Sequence, residues 1–361
     1  MRTDTGRQLD TQAIAELADE FGVPELDLLL IAANARGART DLPHPRARMQ
    51  LKPYSSEEIW QVILPLDNEQ SPFRLDENGL LLEAEPVAGL VALENDDVVL
   101  TYLRAGGRSL TLNTHSRSTC TGCLFCPNVI EDAADAMLHS AAELGELLDW
   151  VVADHGWPGL RDVEVITVCT GCFRTPEVAV AHIVALRAAA DERGFAGRLH
   201  FLSSVIRDRV HLKRLAAEAG PFHLTLTLEC FTRRNLLLKD TKASLTLSDA
   251  CRILDDCGQL GIMGDFTYVV GLDPLTDTVA GLTRLTGFVT TFPRIQVFQA
   301  HNSYMRAAAA AEATDLRYYL RVRQAVEPLM AARGLKPTSW ENYRPLWYSS
   351  FAGGPVPGPR V

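Results

Sequence analysis

The most constraining feature of this sequence is a regular alternation between Leu110 and Asn302, where short apolar runs alternate with longer stretches of helical spacing. Six strands are expected, at Leu110–Asn113, Val163–Val168, Leu199–Leu202, His223–Leu228, Phe266–Val270 and Ile295–Phe298. Helices fall between them, over about Ala133–Ala153, from Pro176 to Arg193, across Leu212–Ala219, from a Ser248 cap to Leu260, and across Val279–Val289. Pro176 suits a first helical turn, where a missing N–H is harmless. Apolar strands alternating with helices imply an α/β fold with a parallel sheet buried on both faces. Ligands of such sheets gather at the C-terminal strand ends, so residues that follow each strand deserve the closest reading.

The flanks differ in texture. Ala13, Ile14, Leu17 and Phe21 have helical spacing, Gly22-Val23-Pro24 interrupts it, and Leu26 to Ala35 resumes it before Leu42-Pro43-His44-Pro45. From Ile59 to Leu112 short β-type runs take over, with a hairpin signal at Asp76-Glu77-Asn78-Gly79 between Phe73 and Leu82, and a turn at Arg104-Ala105-Gly106-Gly107. The expected division is an α+β extension over 1–105, the repeating βα unit over 106–310, and a C-terminal helix and tail over 311–361. Within the last, Asp315 to Gly334 reads as helix and the Pro/Gly-rich tail from Gly353 as frayed.

The net charge of -10 argues against a partner reached by neutralising nucleic-acid phosphates. Arg2-Thr3-Asp4-Thr5 is unlike the start of an export signal, and no run approaches eighteen apolar residues. The expectation is therefore a cytoplasmic chain without a membrane partner, whose eight cysteines are reduced thiols and metal ligands rather than disulfides.

The first strand leads into Thr119-Cys120-Thr121-Gly122-Cys123-Leu124-Phe125-Cys126-Pro127. Gaps of two residues let three thiolates turn toward one centre, and soft sulfur selects zinc, cuprous copper or iron–sulfur clusters. A structural zinc site takes four ligands, so three cysteines leave a coordination position open. The phrase Cys-Thr-Gly-Cys recurs at Cys169-Thr170-Gly171-Cys172 after the second strand, and Cys120, Cys123, Cys169 and Cys172 together would make a tetrahedral zinc set. The remaining strand ends carry Ser203 and Ser204, then Glu229 with Arg233 and Arg234, then Gly271, then His301 and Asn302. His115 and Arg117 precede the cysteine loop, and Cys230, Cys251 and Cys257 read as buried small hydrophobes.

A three-cysteine loop after the first strand of a six-fold βα series resembles the radical S-adenosylmethionine (SAM) superfamily. The resemblance implies a partial (β/α)6 TIM-like barrel with a [4Fe–4S] cluster on Cys120, Cys123 and Cys126. SAM would chelate the fourth iron, and one electron would cleave a carbon–sulfur bond, usually yielding a 5′-deoxyadenosyl radical. Cys123-Leu124-Phe125-Cys126 matches the family's Cys-x-aromatic-Cys, in which the ring, here Phe125, packs beside the adenine. The family usually has three residues between its first two cysteines, whereas Cys120 and Cys123 enclose two. Where it usually has Gly-Gly-Glu, this chain has Thr170 and Gly171, and Glu177 lies in the next helix. By resemblance Ser203, Ser204, Glu229, Arg233 and Arg234 would contact SAM, Gly271 would approach the adenine, and His301 and Asn302 would face the substrate. Cys169 would face the cavity or donate a hydrogen atom to a substrate radical, while Cys172 reads as an ordinary turn residue. The implied partners are a small-molecule or peptide substrate and an electron donor such as flavodoxin or ferredoxin. Two alternatives stay open: cleavage of SAM to transfer its aminocarboxypropyl group, and a redox-inert zinc protein.

Overall fold

The computed structural model describes residues 9–43, 46–95, 100–115, 120, 122–126, 137–338 and 344–358. Arg117 and residues 133–136 of the first expected helix lie outside them. Two helices open the chain, α1 (Thr11–Phe21) and α2 (Glu25–Arg36). Asp10 caps α1 by accepting the Ala13 N–H at 2.7 Å, and Gly22, at φ 63°, ends it in the left-handed region that glycine adopts without strain. A six-stranded sheet follows, made of β1 (Arg39–Thr40), β2 (Arg46–Pro53), β3 (Trp60–Pro65), β4 (Phe73–Leu75), β5 (Gly79–Leu82) and β6 (Glu85–Asn95), in the order β1-β4-β5-β6-β2-β3. The Asp76–Gly79 hairpin pairs Phe73 with Leu82. β2 alternates buried Ala47, Met49 and Leu51 with partly exposed Arg46, Arg48 and Gln50, so its apolar face joins the core and its arginine face points away from it.

The second sheet has seven strands. β7 (Thr101–Arg104) is antiparallel to β8 (Ser109–Leu112), and β9 (Val165–Val168), β10 (Arg198–Ser203), β11 (Phe222–Glu229), β12 (Met263–Val270) and β13 (Arg294–Val297) follow in parallel and in sequence order. Because parallel crossovers are right-handed, consecutive order places the crossover helices on one side. They pack neighbour on neighbour: α3 (Ala141–Asp154), α4 (Pro176–Asp191), α5 (Arg209–Glu218), α8 (Leu247–Gln259) and α9 (Leu275–Thr286), and α11 (Leu316–Ala331), which follows β13, packs on α9. Between β11 and α8 stand two short helices that the periodicity does not announce, α6 (Arg234–Leu237) and α7 (Asp240–Ala243), and α10 (Ser303–Ala308) follows β13.

Boundaries differ where local chemistry outranks periodicity. α3 begins at Ala141, because Ser140 and Glu143 form a capping box. The cap of α8 is Thr246, whose hydroxyl accepts the Asp249 N–H, and Ser248 lies inside the helix. The tail is not frayed as far as Gly358: β14 (Ser350–Phe351) and β15 (Gly354–Pro355) form a hairpin and bury Phe351 and Val356. Asp27 of α2 holds that hairpin, accepting from Ser349 N at 2.7 Å and from Arg323 Nη1 at 2.7 Å with both charged groups buried.

The strands of the parallel sheet are buried on both faces, and the faces differ in chemistry. One carries Leu110, Leu112, Ile166, Val168, Leu199, Phe201, Leu224 and Leu226 in the main core under the helices. Alternate positions bring Thr111, Thr167, His200, His223, Thr225 and Asp265 to the other face, also buried except for half-buried Thr167. The first sheet closes over this polar face: Gln61 Nε2 donates to Tyr102 Oη at 2.7 Å, and the Arg48 guanidinium lies 4.2 Å from the Tyr102 ring centre. Among the described residues no helix is long and apolar enough to cross a membrane.

Candidate functional site

The cysteine loop leaves the C-terminal end of β8 and is tied to the far side of the sheet rather than to its own strand. Leu124 N donates to Leu237 O at 2.9 Å, and Cys126 N to Cys123 O at 3.3 Å. Phe125 is buried in a small apolar cluster with Leu237, Leu238, Val269, Leu272 and Phe298, which draws the loop across the ends of β12 and β13. Gly122 sits at φ +101°, and a Cβ there would come within 3.0 Å of Lys239 Cβ.

That approach puts two lysines beside the thiols. Lys239 Nζ lies 3.4 Å from Cys120 Sγ. Lys242 Nζ donates to Glu229 Oε1 at 2.8 Å, and its field is shared with Cys123 and Cys172. Burial alone would push the Lys242 ammonium down, but Glu229 and these cysteines hold it above its ordinary value. Cys172 Sγ stands 3.6 Å from Cys120 Sγ. Their contact pulls Cys120 down to about 4 against the opposing effect of burial, with help from Lys239, and it pushes Cys172 up. Sequence reasoning missed Lys239, Lys242 and the placement of Cys172. Lys239-x-x-Lys242 has the spacing of one helical face, which was the available signal.

The other strand-end residues have definite places. Thr170 Oγ1 accepts from His115 N at 2.7 Å and donates to His115 O, and Gly171 N also donates to His115 O at 3.1 Å, so both residues clasp the β8 loop. The His115 ring stacks on Phe173 at 4.4 Å. Cys169 is half-buried, its N–H bonded to Leu112 O at 3.0 Å. Ser203 Oγ accepts from Val205 N at 3.2 Å, and the buried Ser204 hydroxyl has no hydrogen-bond partner among the described residues. Glu229, at φ 71° beside a bulge, turns its carboxylate toward Lys242; burial raises it and Lys242 outweighs burial, leaving it below the usual carboxylate range. Arg233 donates to the carbonyls of Leu272 and Ala308. Arg234 donates to those of Leu228, Cys230 and Lys242, fastening α6 and α7 to the end of β11. Gly271 has φ +115°, and a Cβ there would meet Phe298 Cβ at 3.0 Å. His301 is buried and accepts from Arg46 Nη1 at 3.2 Å; burial, Arg46 and Arg344 push it down to about 2, so it is neutral. Asn302 caps α10 by accepting from Met305 N at 2.8 Å.

Among the described residues no three His, Cys, Asp or Glu side chains converge tightly enough to hold a metal ion. The donor set fits a thiolate-ligated centre all the same. Cys120, Cys123 and Cys126 share seven consecutive residues, and Lys239 and Lys242 oppose the negative charge that thiolates would bring.

No protein-family model matches the sequence, and no curated protein matches it. Among solved structures the chain is similar to the radical SAM methyltransferase TsrM from Kitasatospora setae in two states. With tryptophan and the SAM analogue aza-SAM bound, identity is 14% and TM-score 0.35, over 56% of this chain and 35% of that one. With cobalamin and a [4Fe–4S] cluster bound, identity is 15% and TM-score 0.38, over 63% and 46%. The similarity thus spans less than half of either TsrM chain. A radical SAM methyltransferase from Sphaerobacter thermophilus is similar over 96% of this chain and 97% of its own, at 14% identity and TM-score 0.38. With every TM-score below 0.5, these likenesses assign neither a family nor an activity to this chain.

Proposed function

We propose that this chain is a radical SAM enzyme that binds a [4Fe–4S] cluster through Cys120, Cys123 and Cys126. The observation that carries the reading is the placement of a three-thiol loop at the C-terminal end of the first of six consecutive parallel strands. When bound, the cluster supplies one electron to SAM and so breaks a carbon–sulfur bond; the protein supplies binding, orientation and exclusion of water. Phe125 presents an apolar surface for the adenine, and Gly271 keeps the neighbouring strand end free of a side chain. Ser203, Ser204 and Glu229 are the candidate polar contacts for SAM. Arg233 and Arg234 fix the backbone around that site through the carbonyls they bind. Lys239 and Lys242 compensate the charge of the thiolates. Cys169 is the candidate hydrogen-atom donor and His301 the candidate substrate contact. The substrate is a small molecule or peptide, and the electron comes from a flavodoxin- or ferredoxin-type donor in the reducing cytoplasm.

The test is anaerobic reconstitution followed by incubation with SAM and dithionite. Iron and sulfide near four per chain are expected, with SAM cleaved to 5′-deoxyadenosine and both lost in Cys126→Ala. Appearance of 5′-methylthioadenosine instead would assign aminocarboxypropyl transfer. The contact of 3.6 Å between Cys120 and Cys172 favours a second reading, a zinc site on Cys120, Cys123, Cys169 and Cys172. Zinc without iron or sulfide in the purified protein would establish that reading and end the first.

A further inference from the structure

The two copies of Cys-Thr-Gly-Cys, at residues 120–123 and 169–172, follow the neighbouring strands β8 and β9. The last cysteine of the second copy meets the first cysteine of the first, with Cys172 Sγ 3.6 Å from Cys120 Sγ. Both backbones are tied down around this contact. The loop after β8 is held through Leu124 N, which donates to Leu237 O at 2.9 Å, and through Phe125, buried in the cluster of Leu237 and Leu238. The loop after β9 is held by Thr170 and Gly171 on the His115 backbone, and by Phe173, buried and stacked on the His115 ring at 4.4 Å. A disulfide has a sulfur–sulfur length of about 2.05 Å, so the two atoms need to close by only about 1.5 Å. Modest rotation about the two Cα–Cβ bonds supplies that distance. Both thiols are half-buried, and a small oxidant reaches them as it does not reach buried Cys230, Cys251 and Cys257. The radical SAM reading uses Cys120 and leaves Cys172 without a task.

We propose that Cys120 and Cys172 form a reversible disulfide when the thiol loop carries no metal, and that this bond closes the loop to metal loading. In the oxidation one thiolate attacks hydrogen peroxide; its sulfur becomes a sulfenic acid as the O–O bond breaks and water leaves. The other thiol attacks that sulfur, the S–S bond forms, the S–O bond breaks and a second water leaves. Two thiols thus lose two electrons and two protons, and one peroxide becomes two waters. An added thiol or phosphine reductant reverses the bond. While it lasts, the disulfide withholds Cys120 from any centre that needs it. Cys172 also keeps Cys120 off the irreversible branch to sulfinic acid. The bond itself does not depend on the radical SAM reading; its control of cluster assembly rests on that reading.

The test treats the full chain, reduced and freed of metal with a chelator, with equimolar hydrogen peroxide under anaerobic conditions. Thiol titration after unfolding should fall by two from the eight cysteines of the sequence. Non-reducing peptide mass spectrometry should join the peptides that carry Cys120 and Cys172. The reduced chain should bind cobalt(II) with a thiolate-to-cobalt absorption band, the oxidised chain should lack that band, and a phosphine reductant should restore it. In Cys172→Ser the cross-link should vanish and excess peroxide should carry Cys120 to sulfinic acid. If that variant fails to fold, peptide mapping of the wild type over a series of peroxide doses decides by itself. A map without this link, a link from Cys120 to another cysteine, or equal cobalt binding before and after oxidation overturns the proposal. A reduced chain that takes up no cobalt overturns it as well. A chain that makes the link and, once reduced and reconstituted, cleaves no SAM sinks the enzyme assignment and leaves the disulfide standing.

Discussion

Cys120 and Cys172, separated by 51 residues of chain, bring their sulfur atoms to 3.6 Å at the ends of adjacent strands, with the Lys239 ammonium 3.4 Å from the first. The two copies of Cys-Thr-Gly-Cys therefore meet in space through their first and last cysteines. The contact lowers the Cys120 thiol and raises that of Cys172.

In metal-free protein this asymmetry is directly measurable. With Cys120 pulled down to about 4, its thiolate fraction is saturated above pH 6, so alkylation by iodoacetamide should be flat from pH 6 to 8 while Cys172 stays inert. Peptide mass spectrometry of quenched samples follows both sites. A rate at Cys120 that climbs about tenfold per pH unit would contradict the contact. Cys172→Ala, by removing the leading cause, should shift the profile to alkaline pH.

Glu229 and Lys242 form a largely buried pair at 2.8 Å. Lys242→Met leaves the carboxylate buried without its cation, at an expected cost of about 3–5 kcal/mol in urea denaturation at pH 7. The folded carboxyl lies below its unfolded value. Its contribution is therefore present above the unfolded value of about 4.3 and is lost as pH falls through the folded one. The difference between wild type and variant should shrink at pH 3. A cost under about 1 kcal/mol at pH 7 would show the pair to be solvated.

Asp27, in the second helix of the chain, gathers Arg323 and the Ser349 N–H from its C-terminal part. Asp27→Asn keeps the shape but removes one of the two carboxylates that answer buried Arg323, leaving Glu327 at 3.0 Å. A loss of about 1.5–3 kcal/mol is expected, together with early proteolytic cleavage after Trp347 or Tyr348, at the entry to the hairpin. Wild-type protease resistance in the variant would show that the hairpin does not depend on Asp27.

If the cluster forms, Lys239 supplies positive charge beside one of its thiolates. Lys239→Met should make the reduction potential more negative by a few tens of millivolts, where about 59 mV is a tenfold change for one electron. A redox titration monitored by electron paramagnetic resonance reads this. An unchanged potential would mean that the ammonium turns away when the centre is loaded.

The sequence by itself determined whatever rests on short-range periodicity and local chemistry. The βα alternation predicted six parallel strands, the Asp76–Gly79 signal predicted the hairpin that pairs Phe73 with Leu82, and two-residue gaps put three thiols on one loop. α6 and α7 escaped because four-residue helices carry too little periodicity to read, and with them went the lysines beside Cys120. β2 escaped because its arginines alternate with Ala47, Met49 and Leu51, and a polar alternate face names no destination until a second sheet covers it. The tail read as frayed because Gly and Pro are locally permissive, and it is the distant Asp27 that anchors it. Tertiary structure alone decided which thiol meets which, which carboxylate answers which lysine, and which ring lies under Arg48. Those pairings join residues tens to hundreds of positions apart, and no local preference of the chain encodes them.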